Sequence, residues 1–497
     1  MELKVKILKW SAGIPVAMLN EDTANLIGVK TKGRIFIKTL SKNSQGISTI
    51  IDIAKTLVKK NEIAISSELK ERLNLSAGQK VDIDLASPPR SMIFIKKKMN
   101  GKALSQEEIN EIIKDVVDNS LAEAEIALFI SSMYEKGMNM KETIYLINAI
   151  LHSGKILKLN LKNKLVADKH SIGGIPGNRT TPIIVSICAA AGLVMPKSSS
   201  RAITAPAGTA DVIETIAKVE FSMEELQKII KKTGAFLIWG GSLEIVPADE
   251  KIISIEKMLN IDPEAQLLAS IMSKKLASGA QYILIDIPYG KTAKVTREKG
   301  LELKKKFEYL GKHFHKKMKV VLTKGDEPIG NGIGPVLEII DIKKVLSCSE
   351  DAPKNLEKKS LFLSGELLEM TGKAKKGQGI KMATQILVSG KAFAKFKQII
   401  EAQKGSLDHL KLAKFKTDIT AKRNSEITEI DNKKINSLGR MTGCPIDKSA
   451  GLYLHKHVSG KLKKGEKIIT IYAESKSRLR DSLNFYNEQK PIILKNN

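Results

Sequence analysis

Residues 1 to about 90 alternate polar and apolar positions, which is the two-residue period of a half-buried β-strand. The alternation is clear in Glu2–Ile7 and recurs in two similar stretches, Leu26–Ile37 and Leu73–Ile83. Each of these two stretches passes through a glycine turn before its alternating segment begins. The pattern predicts a β-rich N-terminal module over residues 1–90, and the likeness of the two stretches indicates a small barrel with duplicated halves.

Residues 91–160 change to the spacing of amphipathic helices, in which apolar side chains recur every three or four positions. The capping-box sequence Ser105–Glu108 precedes one such stripe, and Asn139–Glu142 opens another helix. The stripe consists of Ile109, Ile112, Ile113, Val116 and Val117. These residues predict a helical domain over 91–160, which a second helical segment at about 246–278 is expected to join.

From Leu165 onward, short apolar runs that are typical of buried strands alternate with helical segments. Such runs include Phe236–Gly241 and Gln281–Ile287. We therefore predict an α/β fold, with an α/β domain over residues 161–415. Short strands separated by glycine turns return afterwards and predict a C-terminal α+β unit over residues 416–497.

Composition narrows the class of protein. The chain has 497 residues, of which 42% are hydrophobic and 27% charged, as is ordinary for a globular protein of several domains. It holds no apolar run long enough for a membrane span, and its charged start does not resemble a secretory signal. Three scattered cysteines fit a reducing compartment, so we expect a cytoplasmic protein without a membrane partner.

The net charge of +28 favours anionic partners, either small phosphorylated molecules or a nucleic acid. The lysines are spread along the chain, however, and aromatic residues, which serve as stacking platforms for single strands, make up only 4% of it. A solvated basic surface explains this pattern better than nucleic-acid binding does. We therefore expect no nucleic-acid partner.

Two loops rich in glycine and hydroxyl residues, 169–181 and 197–209, each run into a predicted helix start. Thr181 followed by Pro182 is typical of an N-cap and a first helical residue, and the second loop leads into a helix from Ala210. A helix N-terminus offers unpaired N–H groups and a partial positive charge, which suit an anion. Glycine-rich turns also occur in many α/β proteins as purely structural connections.

Basic residues in both loops favour the interpretation that the loops bind an anion. Lys169 and His170 lie in the first loop and Arg201 lies in the second. Glycine lets the backbone approach a ligand closely, while hydroxyl and basic side chains complete a phosphate cradle. We therefore favour a phosphate site over a pair of structural turns.

A polar stripe runs along the predicted helix at the end of the second helical segment. The N-cap of this helix is expected at Asp262. Asp262, Gln266, Ser270 and Lys274 are spaced by four and so share one face. A solvated helix face is the common explanation of such a stripe. Lys294 follows a predicted buried strand, where ligands often bind in α/β sheets.

The chain resembles the thymidine/pyrimidine nucleoside phosphorylase family and, within it, the branch of archaeal AMP phosphorylases. DKHSIGG is similar to the family's phosphate-binding signature. The motifs KSSSRAITAPAGTAD, WGGSLEIVPAD, IDPEAQLLASIMSKKLASG and LIDIPYG are similar to those of the AMP phosphorylase branch. The resemblance spans nearly the whole chain, and it implies a nucleoside phosphorylase-type helical domain beside a mixed-sheet α/β domain.

The resemblance implies phosphorolysis of nucleoside 5′-monophosphates. Phosphate would attack C1′ of AMP, and by extension of CMP and UMP, to give a free base and ribose 1,5-bisphosphate. Inorganic phosphate would be a co-substrate, with no cofactor and no metal required. The partners would be nucleotide and phosphate, and the assembly would be a homodimer or a larger homo-oligomer.

The resemblance also implies roles for particular residues. The attacking phosphate would be bound by Lys169, Ser171, Thr181, Ser199 and Thr209. The nucleotide would be bound by Gly174, Ser200, Arg201, Ala202, Ile203, Thr204, Ala205, Thr209, Ser270 and Lys294. Asp262 would donate a proton to the departing base. A helix N-terminus lowers the pKa of an aspartate, so this role requires burial or the nucleotide phosphate to outweigh the helix dipole.

Two positions depart from the family pattern. Pyrimidine nucleoside phosphorylases place an arginine on the base, whereas this chain has Ile255 or Glu256 there, which argues against a free pyrimidine nucleoside as the main substrate. The archaeal loop usually ends in serine where this chain has Ala205. Since a neutral hydrogen bond is worth on the order of 1 kcal/mol, we expect weaker nucleotide binding but retained activity.

Three other functions compete with this interpretation. A nucleoside phosphorylase acting on thymidine or uridine is the nearest alternative. A phosphoribosyltransferase would need a pyrophosphate site and usually Mg²⁺, for which the sequence offers no obvious carboxylate pair. The alternative of a nucleic-acid-binding protein is supported by the net charge alone.

Overall fold

The computed structural model describes residues 1–8, 11, 15–41, 44–157, 159, 164–202, 205–243, 245–408 and 410–496. Ile203 and Thr204, both predicted to bind the nucleotide, lie outside these residues. The chain divides into two units. The first unit comprises Met1–Ser153 and Pro247–Ala269, and the second comprises Gly154–Val246 and Ser270–Asn497.

The strands follow one another along the chain. They are β1 (Glu2–Ile7), β2 (Val16–Asn20), β3 (Arg34–Thr39), β4 (Gly46–Ala54), β5 (Glu62–Ile65), β6 (Lys80–Leu85), β7 (Ala167–Ser171), β8 (Met195–Ser199), β9 (Ala235–Trp239), β10 (Tyr282–Tyr289), β11 (Lys317–Lys324), β12 (Gly332–Ile333), β13 (Phe415–Thr420), β14 (Ser425–Ile430), β15 (Gly451–Leu454), β16 (Lys461–Leu462), β17 (Lys467–Ala473) and β18 (Ile492–Asn496).

The helices occupy most of the segments between them. They are α1 (Glu21–Ile27), α2 (Ser67–Leu73), α3 (Ser91–Met99), α4 (Gln106–Val117), α5 (Glu123–Lys136), α6 (Met140–His152), α7 (Thr180–Ala190), α8 (Thr209–Ile213), α9 (Met223–Thr233), α10 (Pro247–Leu259), α11 (Glu264–Ala277), α12 (Arg297–His313), α13 (Pro335–Leu346), α14 (Lys354–Met370), α15 (Gly379–Val388), α16 (Lys391–Ala402), α17 (Asn432–Met441) and α18 (Lys476–Gln489). None of the described helices combines the length and the apolarity that crossing a bilayer requires.

The N-terminal strands form a closed barrel in the order β1-β5-β2-β4-β3-β6, which confirms the predicted barrel. The two similar stretches of sequence occupy equivalent places in it. Helix α1 ends at Gly28 (φ 79°) and α2 ends at Asn74 (φ 47°), and a strand, β3 or β6, follows each left-handed residue. The alternation of the sequence places one face of each strand, such as Ile35 and Ile37 in β3, in the barrel core.

The predicted capping boxes set the starts of two bundle helices. The Ser105 N–H donates to Glu108 Oε2 at 2.8 Å, and the Glu108 N–H donates to Ser105 Oγ at 3.3 Å. Asn139 and Glu142 form the same reciprocal pair at the start of α6. Behind the first cap, Ile109, Ile112, Ile113 and Val116 of the predicted stripe are buried, whereas Val117 at the end of α4 is only partly buried.

A parallel sheet organises the second unit. Strands β11, β10 and β7 pair in parallel, as do β8 and β9. A parallel bridge between Val166 and Val194, just before β7 and β8, joins the two sets. Because parallel strands end at the same edge, the segments after β7, β8, β10 and β11 gather there. Strands β12 to β18 pair antiparallel, so the sheets are mixed overall.

Two predicted helix starts need correction. Helix α7 begins at Thr180 with Arg179 as its N-cap, so Thr181 and Pro182 are its second and third residues. Proline is tolerated there because the first N–H groups of a helix have no partner within it. Helix α11 begins at Glu264, so Asp262 precedes it by two residues instead of capping it directly.

We expect Lys98 and Lys97, adjacent in α3, to differ sharply in their contribution to stability. Lys98 Nζ lies 2.8 Å from Glu142 Oε1, and both side chains are only 3% exposed. Lys98→Ala would leave a buried carboxylate without its cation, at about 3–5 kcal/mol. Lys97 pairs with Glu108 while 35% exposed, so Lys97→Ala should cost less than about 1 kcal/mol. Thermal unfolding of both variants tests this, and equal midpoints would contradict it.

Candidate active site

A buried carboxylate, Asp168 near the start of β7, holds two lysines together. Asp168 Oδ1 lies 3.2 Å from Nζ of Lys197 in β8, and Asp168 Oδ2 lies 2.5 Å from Nζ of Lys275 in α11. Burial alone would raise the pKa of Asp168, but the two ammonium groups outweigh it and hold that pKa below its usual value. Lys197 also donates to the Lys169 carbonyl at 2.8 Å. This ion-pair network fixes the backbone beside Lys169.

A second buried carboxylate lies on the neighbouring strand β10. Asp286 accepts a hydrogen bond from Thr323 Oγ1 at 2.6 Å and lies 3.0 Å from Nζ of Lys359 in α14. The Lys169 side chain, 2% exposed, donates to Thr180 Oγ1 at 2.9 Å. Burial lowers the pKa of Lys169 to about 8, although the nearby Asp286 opposes the change. Among the described residues, no carboxylate forms an ion pair with Lys169.

These groups together carry more positive than negative charge. Four ammonium groups, those of Lys169, Lys197, Lys275 and Lys359, share two carboxylates. Burying a charge is costly unless an opposite charge is close. The arrangement is therefore one that an anion would stabilise, which agrees with the phosphate site predicted at Lys169.

Two serine hydroxyls lie at the same edge of the sheet. Ser171 ends β7 and Ser199 ends β8, and the Oγ of each is buried without a hydrogen-bond partner among the described residues. Buried hydroxyls are usually paired, so these two are suited to donate to a bound anion. Lys169, Ser171 and Ser199, all predicted phosphate ligands, thus lie on the neighbouring strands β7 and β8, and the two serines end these strands.

Arg179 connects the remaining predicted phosphate ligands. Its Nη1 donates to Thr209 Oγ1 at 2.9 Å and its Nη2 donates to the Ala207 carbonyl at 2.6 Å, while Nε pairs with buried Glu338 at 2.5 Å. Thr181, in the first turn of α7, follows two residues later and is buried. Sequence reasoning missed Arg179, for which the only signal was an arginine just before the predicted helix start.

The second predicted loop is held in shape by carboxylates. Both terminal nitrogens of Arg201 donate to Glu214 at 2.8 Å, which holds the pKa of Glu214 at about 2, and its guanidinium lies 4.6 Å from the Trp239 ring centre. Asp211 Oδ2 accepts from the Ala202 and Gly208 N–H groups at 2.7 and 2.8 Å. Arg201 therefore braces the loop, and its contact with a nucleotide stays a prediction.

The same loop depends on a close backbone approach. A Cβ at position 208 would lie 2.5 Å from the carbonyl carbon of Arg201 and 2.6 Å from the Ser200 oxygen, so only glycine fits. Ser200 and Ala205 are partly buried on this loop. The structure thus places Ser200, Arg201, Ala202 and Thr209 along one connected segment.

Gly174 and Lys294 lie together although 120 residues separate them in the sequence. Gly174 has a φ of 91°, and a Cβ there would lie 3.0 Å from Cβ of Lys294. The structure therefore brings together two residues predicted to bind the nucleotide. On α11, Ser270 Oγ accepts a hydrogen bond from Lys274 Nζ at 3.1 Å. Lys274 is followed directly by Lys275, which pairs with Asp168.

The predicted acid belongs to the first unit. Asp262 is exposed in the segment between α10 and α11. Ile255 and Glu256, one or the other of which is predicted to stand where pyrimidine nucleoside phosphorylases have an arginine, are both buried in α10. In the second unit, burial and the ammonium group of Lys275 hold the pKa of His170 well below its usual value, so this imidazole is neutral at pH 7.

Comparisons with known proteins identify the family. The models that match are the helical bundle domain of a glycosyl transferase family over residues 93–154, its a/b domain over 163–393, and the pyrimidine nucleoside phosphorylase C-terminal domain over 426–492. The AMP phosphorylase of Methanococcus aeolicus is 40% identical over 494 residues, which cover 99% of this chain and 97% of that enzyme. The chain belongs to the AMP phosphorylase family.

Other members of the AMP phosphorylase family agree over the same length. The enzymes of Thermococcus kodakarensis and Pyrococcus furiosus are each 40% identical over 497 residues, again covering 99% of this chain and 97% of each enzyme. A solved structure of anthranilate phosphoribosyltransferase from Thermus thermophilus is similar in fold, with a TM-score of 0.52 and 17% identity over 63% of this chain and 99% of that one.

We expect anion binding at the buried lysines to weaken as pH rises through about 8. Burial lowers the pKa of Lys169 to about 8 and that of Lys275 to about 7, so both groups lose their charge as pH rises through this range. Sulfate keeps a constant charge over this range, so calorimetric titration with sulfate between about pH 6.5 and 9.5 reports the protein groups alone.

The substitution Lys169→Met should weaken sulfate binding at pH 7 by at least about tenfold, since charge-assisted hydrogen bonds contribute roughly 1.5–3 kcal/mol. Lys304→Met, on the partly exposed face of α12, is the matched control and should bind sulfate like the unaltered chain. Equal affinity in the two variants would show that the anion does not contact Lys169.

Proposed function

We propose that this chain phosphorolyses AMP, converting AMP and phosphate into adenine and ribose 1,5-bisphosphate, and that it acts also on CMP and UMP. The observation that carries the proposal is the buried excess of ammonium groups around β7, β8 and β10, near two serine hydroxyls that have no partner among the described residues. Such a site binds and orients a phosphate ion. Membership of the AMP phosphorylase family makes a nucleoside monophosphate the second substrate.

The attacking phosphate is held by Lys169, Ser171, Ser199, Thr181 and Thr209. Lys169 supplies charge, the hydroxyls donate hydrogen bonds, and the first turn of α7 adds N–H groups at the helix N-terminus. Thr209 Oγ1 already accepts from Arg179, which leaves its own proton free to be donated to the anion. Binding in this geometry converts the reaction of two solutes into a step within one complex.

The nucleotide lies on the segments that carry Gly174, Lys294, Ser270 and the loop from Ser200 to Ala205. Lys294 faces the 5′-phosphate as a point charge, while the bare backbone at Gly174 allows that phosphate to approach. Lysines and backbone N–H groups neutralise both phosphates, so we propose that the reaction needs no metal ion.

Bond breaking proceeds through a sugar with oxocarbenium character. An oxygen of phosphate forms a bond to C1′ while the C1′–N9 bond breaks, and its electron pair passes to the base. Asp262 donates a proton to the departing adenine and afterwards recovers one from solvent. The products are neutral adenine and a sugar that carries both phosphates. Assembly into a homodimer or larger oligomer stays a prediction.

A substrate panel tests the proposed function. The protein is mixed with AMP, CMP, UMP, adenosine or thymidine, with and without phosphate and in the presence of a chelator, and free base is measured by chromatography. We expect adenine from AMP only when phosphate is present. Base release from adenosine or thymidine but not from AMP would instead identify a nucleoside phosphorylase.

The substitution Asp262→Asn tests the proposed acid. Loss of a general acid typically slows turnover by 10²–10⁴-fold, so kcat should fall by roughly that factor while KM for AMP changes by less than about threefold. Glu264→Gln, two residues away at the start of α11, is the control and should keep kcat within about twofold. A larger loss in Glu264→Gln would assign the proton to that neighbouring carboxylate.

A further inference from the structure

One face of helix α17, in the C-terminal α+β unit, lies against the loops that end the parallel strands. Asn432, Asn436 and Gly439 are spaced by four and three residues and so share this face. All three are buried. Sequence reasoning found no chemistry in this part of the chain, so its contacts with the site were not expected.

Asn432 joins the loops after β10 and β11. Its Nδ2 donates to Thr292 Oγ1 at 3.0 Å and to the Gly325 carbonyl at 2.9 Å. Its backbone N–H also donates to Thr292 Oγ1, at 3.2 Å. Because Thr292 precedes Lys294 by two residues, these bonds fix the start of the segment that carries the proposed 5′-phosphate ligand.

Asn436, one turn further along α17, reaches the loop after β7. Its Nδ2 donates to the Gly174 carbonyl at 3.1 Å. Gly174 is the residue whose missing side chain leaves room for Lys294, with only 3.0 Å between Cβ of Lys294 and a Cβ at 174. Asn432 and Asn436, both on α17, therefore hold the segments that carry Lys294 and Gly174.

Gly439 brings the same helix face against the second loop. A Cβ at this position would lie 2.6 Å from Cγ of Pro206, the residue that follows Ala205. The helix can pack here only because position 439 has no side chain. One face of α17 thus contacts segments on which Gly174, Lys294 and Ala205, three of the predicted nucleotide ligands, are placed.

We propose that α17 is the positioning element of the nucleotide subsite and that Asn436 is its positioning residue, through its hydrogen bond to Gly174. This inference rests on the proposed function, since it assigns Gly174 and Lys294 to the nucleotide. The phosphate ligands Lys169, Ser171 and Ser199 lie on β7 and β8, which are held by pairing within the sheet. Loss of Asn436 therefore affects AMP and phosphate differently.

Steady-state kinetics of Asn436→Ala separate the two substrates. We expect KM for AMP to rise about tenfold, the effect of losing one well-placed hydrogen bond, while kcat and KM for phosphate stay within about twofold. Ser437→Ala is the matched control, because Ser437 lies on the exposed face of the same helix and, among the described residues, its hydroxyl donates only to the Lys433 carbonyl. It should be indistinguishable from the unaltered chain.

A second variant and a second measurement keep the inference testable if Asn436→Ala folds poorly. Asn436→Asp preserves the shape but replaces the donor with an acceptor facing the Gly174 carbonyl, so it should raise KM for AMP at least as much. Hydrogen–deuterium exchange without substrate should show faster exchange at residues 172–177 in both variants and not in Ser437→Ala.

The outcomes distinguish the inference from the proposed function. Unchanged KM for AMP and unchanged exchange in both Asn436 variants would overturn the positioning role. Equal losses for both substrates, together with a lower unfolding temperature, would overturn it as well and leave α17 a purely structural element. If the unaltered chain releases no base from AMP, the proposed function fails, and the exchange data alone decide whether Asn436 orders the Gly174 loop.

Discussion

Burial of ammonium groups at the edge of a parallel sheet is the constraint on which the rest of the second unit depends. Each such group is costly to remove from water, and here Asp168 and Asp286 offset part of that cost. The side chains of these ion pairs come from β7, β8, β10, α11 and α14. The pairs therefore also fix the positions of these elements relative to one another. What the two carboxylates leave uncompensated is positive charge, beside the strands on which we propose that phosphate binds.

Much of the fold could be predicted because its signals are local. The capping boxes at Ser105 and Asn139 and the alternating strands of the barrel each depend on residues a few positions apart. The helix starts were predicted less accurately than the helices themselves, since Arg179 rather than Thr181 is the N-cap of α7. A threonine followed by proline fits several first-turn positions, and tertiary contacts of Arg179 with Glu338 select among them.

The residues of the candidate site likewise fall into those that the sequence could predict and those that it could not. Lys169, Ser171 and Ser199 stand in motifs that resemblance to a family could point out, and the structure places them on the neighbouring strands β7 and β8. Their supporting residues could not be predicted from spacing, because Lys275 meets Asp168 across 107 positions and Arg179 meets Glu338 across 159. Periodicity reports which face of an element is buried, but it does not report which distant side chain completes a pair.

The hydrogen bond between Asn436 and Gly174 spans 262 positions. This separation has a consequence for synthesis, since a ribosome makes Gly174 long before it makes Asn436. The sheet with its lysines and carboxylates can assemble from the earlier part of the chain, whereas the Gly174 loop acquires its tether only when α17 emerges near the end. The nascent protein should therefore gain affinity for an anion before it gains selectivity for a nucleotide.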